Sequence, residues 1–191
     1  MADRPSREPR GAGGPGAAAR AARADGPAAG SGLGWLNGLP ADDAAAVLRG
    51  CCEAPGWARQ VAAGRPYRNL ADLLAAADRA WAERGPGELT AAMAAHPRIG
   101  DRGPGVAGQS RQEQAGVGAD PGTLAELRDA NGAYERRFGH VFLICAASRG
   151  APEILSELRR RLANDPGTEL AVAAGEIGKI TALRLRKLAG T

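Results

Sequence analysis

The sequence has few aromatic and few β-branched residues. Phe, Trp and Tyr together make up 4% of its 191 residues, and side chains of these two kinds favour strands. Ala, Leu, Arg and Glu, which favour helices, dominate instead. No segment shows the polar and apolar alternation of a half-buried strand. The composition therefore predicts an all-α bundle of about seven to nine helices.

The sequence also lacks long apolar runs, a cysteine framework and a metal motif. No run approaches the ~18 apolar residues of a membrane span, and the N-terminus has no apolar signal-peptide core. Three cysteines, two of them adjacent, form no disulfide framework. The histidines and cysteines do not have the spacing of a metal site, and there is no glycine-rich phosphate loop. We expect a cytoplasmic protein that binds neither a membrane nor a metal ion.

The first 32 residues contain no Val, Ile, Leu or aromatic residue. Such a segment cannot bury enough apolar surface to offset the entropy of ordering it. We predict a disordered tail over residues 1–32 and one helical domain over residues 33–191. Five arginines and three acidic residues give the tail +2 of the total charge of +4. The near-neutral domain is therefore not expected to bind nucleic acid.

Apolar periodicity and capping residues divide the domain into helical segments. Asn69 and Pro152 are expected at helix starts, and Gly139 at a helix end. Either Asp120-Pro121 or the capping box of Thr123 and Glu126 starts the long helix that Gly139 ends. The expected helices cover residues 43–52, a short stretch around 57–61, then 70–81, 89–96, a segment from 110, and 121–138, 152–162 and 168–188. The apolar run 141–145 is too short for a helix of its own, so it is either a buried extended piece or one turn of a core helix.

His96 is one of two histidines, and it lies where a helix should end. It shares a helical face with Leu89 and should point inward, while Pro97 ends the helix. Further on, Ser110 and Glu113 form a capping box. Each feature has a local explanation, as a histidine near the helix dipole and as a helix cap. Together they also fit acid/base chemistry on a small anionic substrate.

The last helix has an arginine within its apolar stripe. At ~100° per residue, Arg184 lies between Ile180 and Leu188, whereas Arg186 falls on the opposite side. A buried guanidinium requires an anionic partner or a cavity. An ion pair with Glu176, an ion pair with another helix, a snorkelled side chain and an anionic ligand all remain open. Two smaller expectations are an interhelical hydrogen bond for Asn131 and a solvated helix face at residues 159–161.

Several motifs in order also resemble one protein family. They extend over about residues 36–188. The motifs are Cys51-Cys52 with Trp57, His96-Pro97-Arg98-Ile99-Gly100, Ser110-Arg111-Gln112-Glu113-Gln114, Asn131 to Cys145, and Arg161 to Leu185 with Asn164, Glu169, Glu176 and Lys179. With these motifs the sequence resembles the decarboxylases of 2-oxo-4-hydroxy-4-carboxy-5-ureidoimidazoline (OHCU). That family carries out the last of three steps from urate to (S)-allantoin.

The resemblance implies an all-helical, homodimeric decarboxylase that acts on OHCU without a cofactor. By motif position, His96 would be the catalytic acid/base and Glu113 its carboxylate partner. The substrate-binding residues would be Pro97, Ser110, Gln114, Phe142, Leu143, Ile144 and Arg184. Arg186, two residues further on, is the alternative to Arg184. The competing hypothesis is a non-enzymatic helical interaction module with a basic tail, whose binding would be salt-sensitive.

Overall fold

The structure, a computed structural model, describes residues 32–99, 120–147 and 149–190. In these ranges it contains eight helices and no strand, which confirms the predicted all-α class. The helices are α1 (Leu33–Gly38), α2 (Ala41–Cys51), α3 (Pro55–Ala63), α4 (Leu70–Ala82), α5 (Pro86–Ala94), α6 (Pro121–Phe138), α7 (Ala151–Arg161) and α8 (Pro166–Ala189). The predicted tail, apart from Gly32, and the predicted helix from Ser110 lie outside the described residues.

Capping residues account for most of the helix boundaries. The Asn69 side chain accepts a hydrogen bond from the Asp72 N–H, which starts α4 as predicted. Asp120 accepts from the first free N–H groups of α6, and Asp165 does the same for α8. Gly139 ends α6 in the left-handed conformation, with φ of 76°. The sequence did not predict α1, and α2 begins at Ala41 rather than Asp43.

The helices pack around two apolar clusters. The first cluster is formed by α1 to α5 together with α8, and Trp57 is its largest buried side chain. The second contains side chains of α6 and α7, with Tyr134 and Phe142 at its centre. Ile99, which follows α5, also belongs to the second cluster. The chain from α5 to Ile99 therefore passes from one cluster to the other.

Residues 141–146 run between the two clusters without regular secondary structure. Leu143 packs in the first cluster, whereas Phe142 and Ile144 pack in the second. This alternation has the period of two that is typical of an extended chain. Of the two predicted alternatives, the buried non-helical piece is therefore correct. None of the helices in the described ranges has the length and hydropathy needed to cross a membrane.

Candidate active site

A small cavity lies where the end of α5, the 143–147 segment and α8 meet. Most of its lining is apolar, and His96 contributes the one titratable imidazole. The lining residues are His96, Pro97, Ile99, Leu143, Ile144, Cys145, Ala146, Ala147, Ile180 and Leu183. We call this the His96 cavity. Four of the predicted site residues, at positions 96, 97, 143 and 144, are thus brought together.

The hydrogen bond of His96 to its own helix fixes the tautomer of the neutral ring. Nδ1 lies 2.7 Å from the carbonyl oxygen of Ala92, in the last turn of α5. A carbonyl oxygen can only accept, so Nδ1 carries the hydrogen in this contact. In the neutral ring, Nε2 then carries the lone pair. The helix-end interaction that explained His96 locally therefore also orients it for acid/base chemistry, with Nε2 buried.

The residues after His96 are attached to α6 by two contacts. The guanidinium of Arg98 donates to both carboxylate oxygens of Glu135, at 2.5 and 2.6 Å. These hydrogen bonds hold the pKa of Glu135 below its usual range. The side-chain amide of Asn131, one turn before Glu135, donates to the Ile99 carbonyl at 3.3 Å. The bond predicted for Asn131 thus reaches the segment after α5, and not another helix.

Phe142 lies outside the cavity lining. Its side chain is fully buried in the second cluster and meets the Tyr134 ring edge-on, with centroids 5.2 Å apart. The guanidinium carbon of Arg161 lies 4.6 Å from the centre of the Phe142 ring. Phe142 therefore supports the segment from behind, while its neighbours Leu143 and Ile144 line the cavity.

A buried ion pair stands behind the same segment. Arg161 donates to Glu169 through Nε at 2.9 Å and Nη2 at 2.5 Å, and both side chains are almost fully buried. Its Nη1 donates to the Leu143 carbonyl at 2.7 Å. The Tyr134 hydroxyl also donates to Glu169. Burial, and to a smaller extent this hydrogen bond, raises the pKa of Tyr134. The expectation of a solvated face at residues 159–161 is wrong for Arg161, which follows Ile154 and Leu158 on the buried face of α7.

Arg184 lies on the inward face of α8, as its position in the stripe predicted. It is 8% exposed, whereas Arg186 is an exposed residue. Its Nη1 donates to the Cys51 carbonyl at the end of α2, at 3.3 Å. Ile180, one turn before Arg184 on the same face, and Leu183, the residue directly before it, both line the cavity. Arg184 itself is not among the lining residues.

The two neighbouring cysteines at the end of α2 are buried beside Arg184. Burial raises the pKa of the Cys52 thiol to about 11, against the opposing effects of a hydrogen bond with Thr181 and of the Arg184 charge. Cys145, in contrast, is half-buried in the cavity wall. All three cysteines are free thiols.

We expect iodoacetamide to modify Cys145 in the native protein at pH 8, and to leave Cys51 and Cys52 intact. A thiol with a pKa of about 11 is almost wholly protonated at that pH, and the thiolate is the nucleophile. Peptide mass mapping before and after unfolding in urea measures the difference. Equal labelling of Cys52 and Cys145 in the native state would contradict the burial of α2's end.

The remaining predicted residues, Ser110, Glu113 and Gln114, lie outside the described residues. Arg161 and Glu176, which contact the cavity wall, were missed as functional candidates, as was Glu169, the buried partner of Arg161. Arg161 and Glu176 contact the backbone at positions 143 and 145, respectively. The helical-stripe argument used for Arg184 would have found them, because both occupy inward positions of their helices. In the described part of the chain, no cluster of His, Cys, Asp and Glu suits a metal ion.

Fold and cavity together define a class of protein. It is an all-α domain with a histidine of fixed tautomer in a small cavity and a buried arginine on a helix that lines this cavity. Such a cavity suits acid/base chemistry on a small anionic molecule.

Comparison with known proteins places the chain within a family. The family model of OHCU decarboxylase matches residues 37–186. The chain is 33% identical over 140 residues to the 2-oxo-4-hydroxy-4-carboxy-5-ureidoimidazoline decarboxylase of Amia calva, covering 70% of this chain and 80% of that protein. It is 32% identical over 145 residues to the uric acid degradation bifunctional protein TTL of Arabidopsis thaliana, covering 72% of this chain and 45% of that protein. The chain belongs to the OHCU decarboxylase family.

The fold agrees with solved structures of similar proteins. A crystal structure of OHCU decarboxylase in the presence of (S)-allantoin superimposes with a TM-score of 0.66 at 31% identity. The match covers 75% of this chain and 96% of that one. A crystal structure of (S)-allantoin synthase gives a TM-score of 0.63 at 19% identity, which supports the fold alone.

Proposed function

We propose that this protein catalyses the decarboxylation of OHCU to (S)-allantoin, as the last step from urate. The proposal is supported by membership of the OHCU decarboxylase family over residues 37–186. The single structural observation that carries it is the His96 side chain, which lines a cavity with its Nδ1 held by the Ala92 carbonyl. A histidine held in this way can give and take a proton at Nε2.

The reaction requires bond cleavage, an electron acceptor and one proton. The bond between the ring carbon and the carboxylate breaks, CO2 leaves, and its electron pair stays on the ring carbon. The neighbouring carbonyl and imine groups of OHCU can accept that pair, so the substrate itself supplies the electron sink that a cofactor would otherwise provide. One proton is taken up in place of the CO2: the C4 hydroxyl becomes a carbonyl, and the neighbouring ureido-bearing carbon, C5, gains the hydrogen that makes it the stereocentre of allantoin. The protein has to orient the carboxylate, stabilise the anion and protonate one face.

In this proposal, His96 exchanges the proton with the substrate hydroxyl or the carbanion, with Glu113 as its carboxylate partner. Arg184 stabilises the anionic substrate; its burial and the position of Ile180, one turn before it and in the cavity lining, support that role. The walls come from Pro97, Leu143 and Ile144. Family resemblance adds Ser110 and Gln114 as substrate contacts, whereas Phe142, which lies outside the lining, supports the wall from behind. We further propose that the protein acts as a cytoplasmic homodimer.

The proposal is tested by supplying freshly made OHCU and following the optical activity of the allantoin formed. We expect rapid formation of the S enantiomer, whereas uncatalysed protonation of a planar anion gives both. An optical signal equal to that of the buffer control would refute the activity. Salt-sensitive binding of a macromolecule, lost when residues 1–32 are removed, would then support the interaction module instead.

Replacing Arg184 should impair substrate binding and turnover together. We expect Arg184→Met to lower kcat/KM by roughly 10- to 100-fold, because a hydrogen-bonded charge contributes about 1.5–3 kcal/mol. Arg184→Lys should recover part of this loss, since it keeps the charge but not the planar fork. Steady-state kinetics on OHCU measures both effects.

Arg186→Met is the matched control, because Arg186 is exposed on the same helix. It should retain wild-type kinetics. If Arg186→Met lost activity while Arg184→Met kept it, the assignment of the two arginines would be reversed.

A further inference from the structure

The cavity wall formed by residues 143–147 has no helix or strand to satisfy its backbone groups. Buried backbone N–H and C=O groups nevertheless require partners. Two of these partners are charged side chains from different helices. Arg161 of α7 donates to the Leu143 carbonyl, and Glu176 of α8 accepts from the Cys145 N–H. The wall is therefore held from both sides by side chains.

Glu176 makes the contact on the α8 side. Its Oε2 lies 2.7 Å from the Cys145 nitrogen, and the residue is only 7% exposed. Its other oxygen, Oε1, accepts from Lys179, whose side chain is 61% exposed. A carboxylate that accepts from a backbone N–H makes a charge-assisted bond, which is stronger than a neutral one.

The position of Glu176 on α8 connects this bond to the rest of the site. Glu176, Ile180 and Arg184 are spaced four residues apart, so they follow one face of the helix. Ile180 lines the His96 cavity, and Arg184 is buried one turn further along α8. The bond from Glu176 to Cys145 thus joins the cavity wall to the helix face that carries Arg184.

A purely structural explanation is that Glu176 serves only as the partner of Lys179. That pair joins neighbours on one helix, and the Lys179 side chain is largely exposed to solvent, so the pair stabilises the helix only weakly. It also leaves the second carboxylate oxygen unexplained. The buried bond to Cys145 is the contact that a surface ion pair does not require.

We infer that Glu176 is a positioning residue for the reaction. It acts through the Cys145 peptide. Its hydrogen bond fixes the position of the wall at Leu143 and Ile144 relative to Arg184 on α8. It does not need to touch the substrate. The inference rests on the proposed function, because it assigns the wall a part in orienting the substrate and the face that is protonated.

Three variants test this role. Glu176→Gln keeps an oxygen that can accept from Cys145, Glu176→Ala removes it, and Lys179→Ala removes only the exposed partner. We expect Glu176→Ala to lower kcat by roughly 10- to 100-fold, since small misplacements of a site can cost about 100-fold. It should also lower the enantiomeric excess of the allantoin, after subtraction of the uncatalysed product. Glu176→Gln should stay within about threefold of the wild-type rate, and Lys179→Ala should match it.

Enantiomeric excess separates positioning from simple loss of folded protein. A smaller folded fraction makes less product but leaves its optical purity unchanged. Glu176→Ala with wild-type kcat and optical purity would overturn the inference. Glu176→Gln as impaired as Glu176→Ala would overturn it too, because the lost charge and not the hydrogen bond would then be responsible.

Hydrogen–deuterium exchange of the peptide containing Cys145 provides a second readout that does not depend on activity. The Cys145 amide should exchange faster in Glu176→Ala than in the wild type, and at the wild-type rate in Lys179→Ala. If the wild type makes no allantoin, the proposed function fails, while exchange still reports on the bond. If exchange is unchanged in Glu176→Ala, the positioning role fails even when the enzyme is active.

Discussion

His96→Asn should reduce the rate of allantoin formation by roughly 10²- to 10³-fold, which is the effect of removing one oriented catalytic group. Asparagine is smaller than histidine and its amide can still donate to the Ala92 carbonyl, which His96 Nδ1 contacts at 2.7 Å. It has no nitrogen that can accept and release a proton near neutral pH. The variant therefore removes the acid/base group with little change to the end of α5. Circular dichroism at initial rates, with uncatalysed decay subtracted, measures the loss.

His140→Asn is the matched control, because His140 is the second of the two histidines in the sequence. Its ring packs edge-on against Tyr134, with centroids 5.5 Å apart, and it is absent from the lining of the His96 cavity. We expect its rate to stay close to that of the wild type. Formation of (S)-allantoin by His96→Asn at the wild-type rate would rule out the proposed acid/base role.

Much of the fold could be predicted because its helices have local signals. Asn69, Asp120 and Gly139 are capping residues whose effect depends on the backbone within three residues of them. Pro97 likewise excludes His96 from the helical region, and α5 ends just before His96, at Ala94. The helix α1 has no side-chain cap and only six residues. Its position depends on packing of Leu36 in the first cluster, which sequence periodicity cannot reveal in so short a segment.

The candidate site was harder to predict because part of it depends on contacts between distant residues. The stripe of α8 predicted that Arg184 points inward, and its burial agrees. The same reasoning would have marked Arg161, but three consecutive arginines suggested a solvated face. Its partner Glu169 belongs to the next helix, so the pair exists only after α7 and α8 have packed. A buried residue within a run of charged residues cannot be recognised from the sequence when its ion-pair partner lies on another helix.

Arg161→Met should lower the free energy of unfolding by about 3–5 kcal/mol, the usual loss when one partner of a buried ion pair is removed. It leaves the Glu169 carboxylate buried without its guanidinium and removes a donor from the Leu143 carbonyl. That loss is a large share of a typical total of about 5–15 kcal/mol. Equilibrium unfolding in urea measures it. Activity should fall as well, because Leu143 lines the His96 cavity.

Two further variants identify the cause of that loss. Arg160→Met removes the neighbouring arginine, whose side chain is exposed where it pairs with Glu157, so it should leave the free energy of unfolding almost unchanged. The double variant Arg161→Met/Glu169→Leu replaces the whole pair with apolar side chains and should regain much of the stability, because no uncompensated charge stays buried. The Leu143 carbonyl would still lack its donor. We therefore expect the double variant to recover stability more fully than activity; equal recovery of both would show that Arg161 stabilises the fold without positioning the wall.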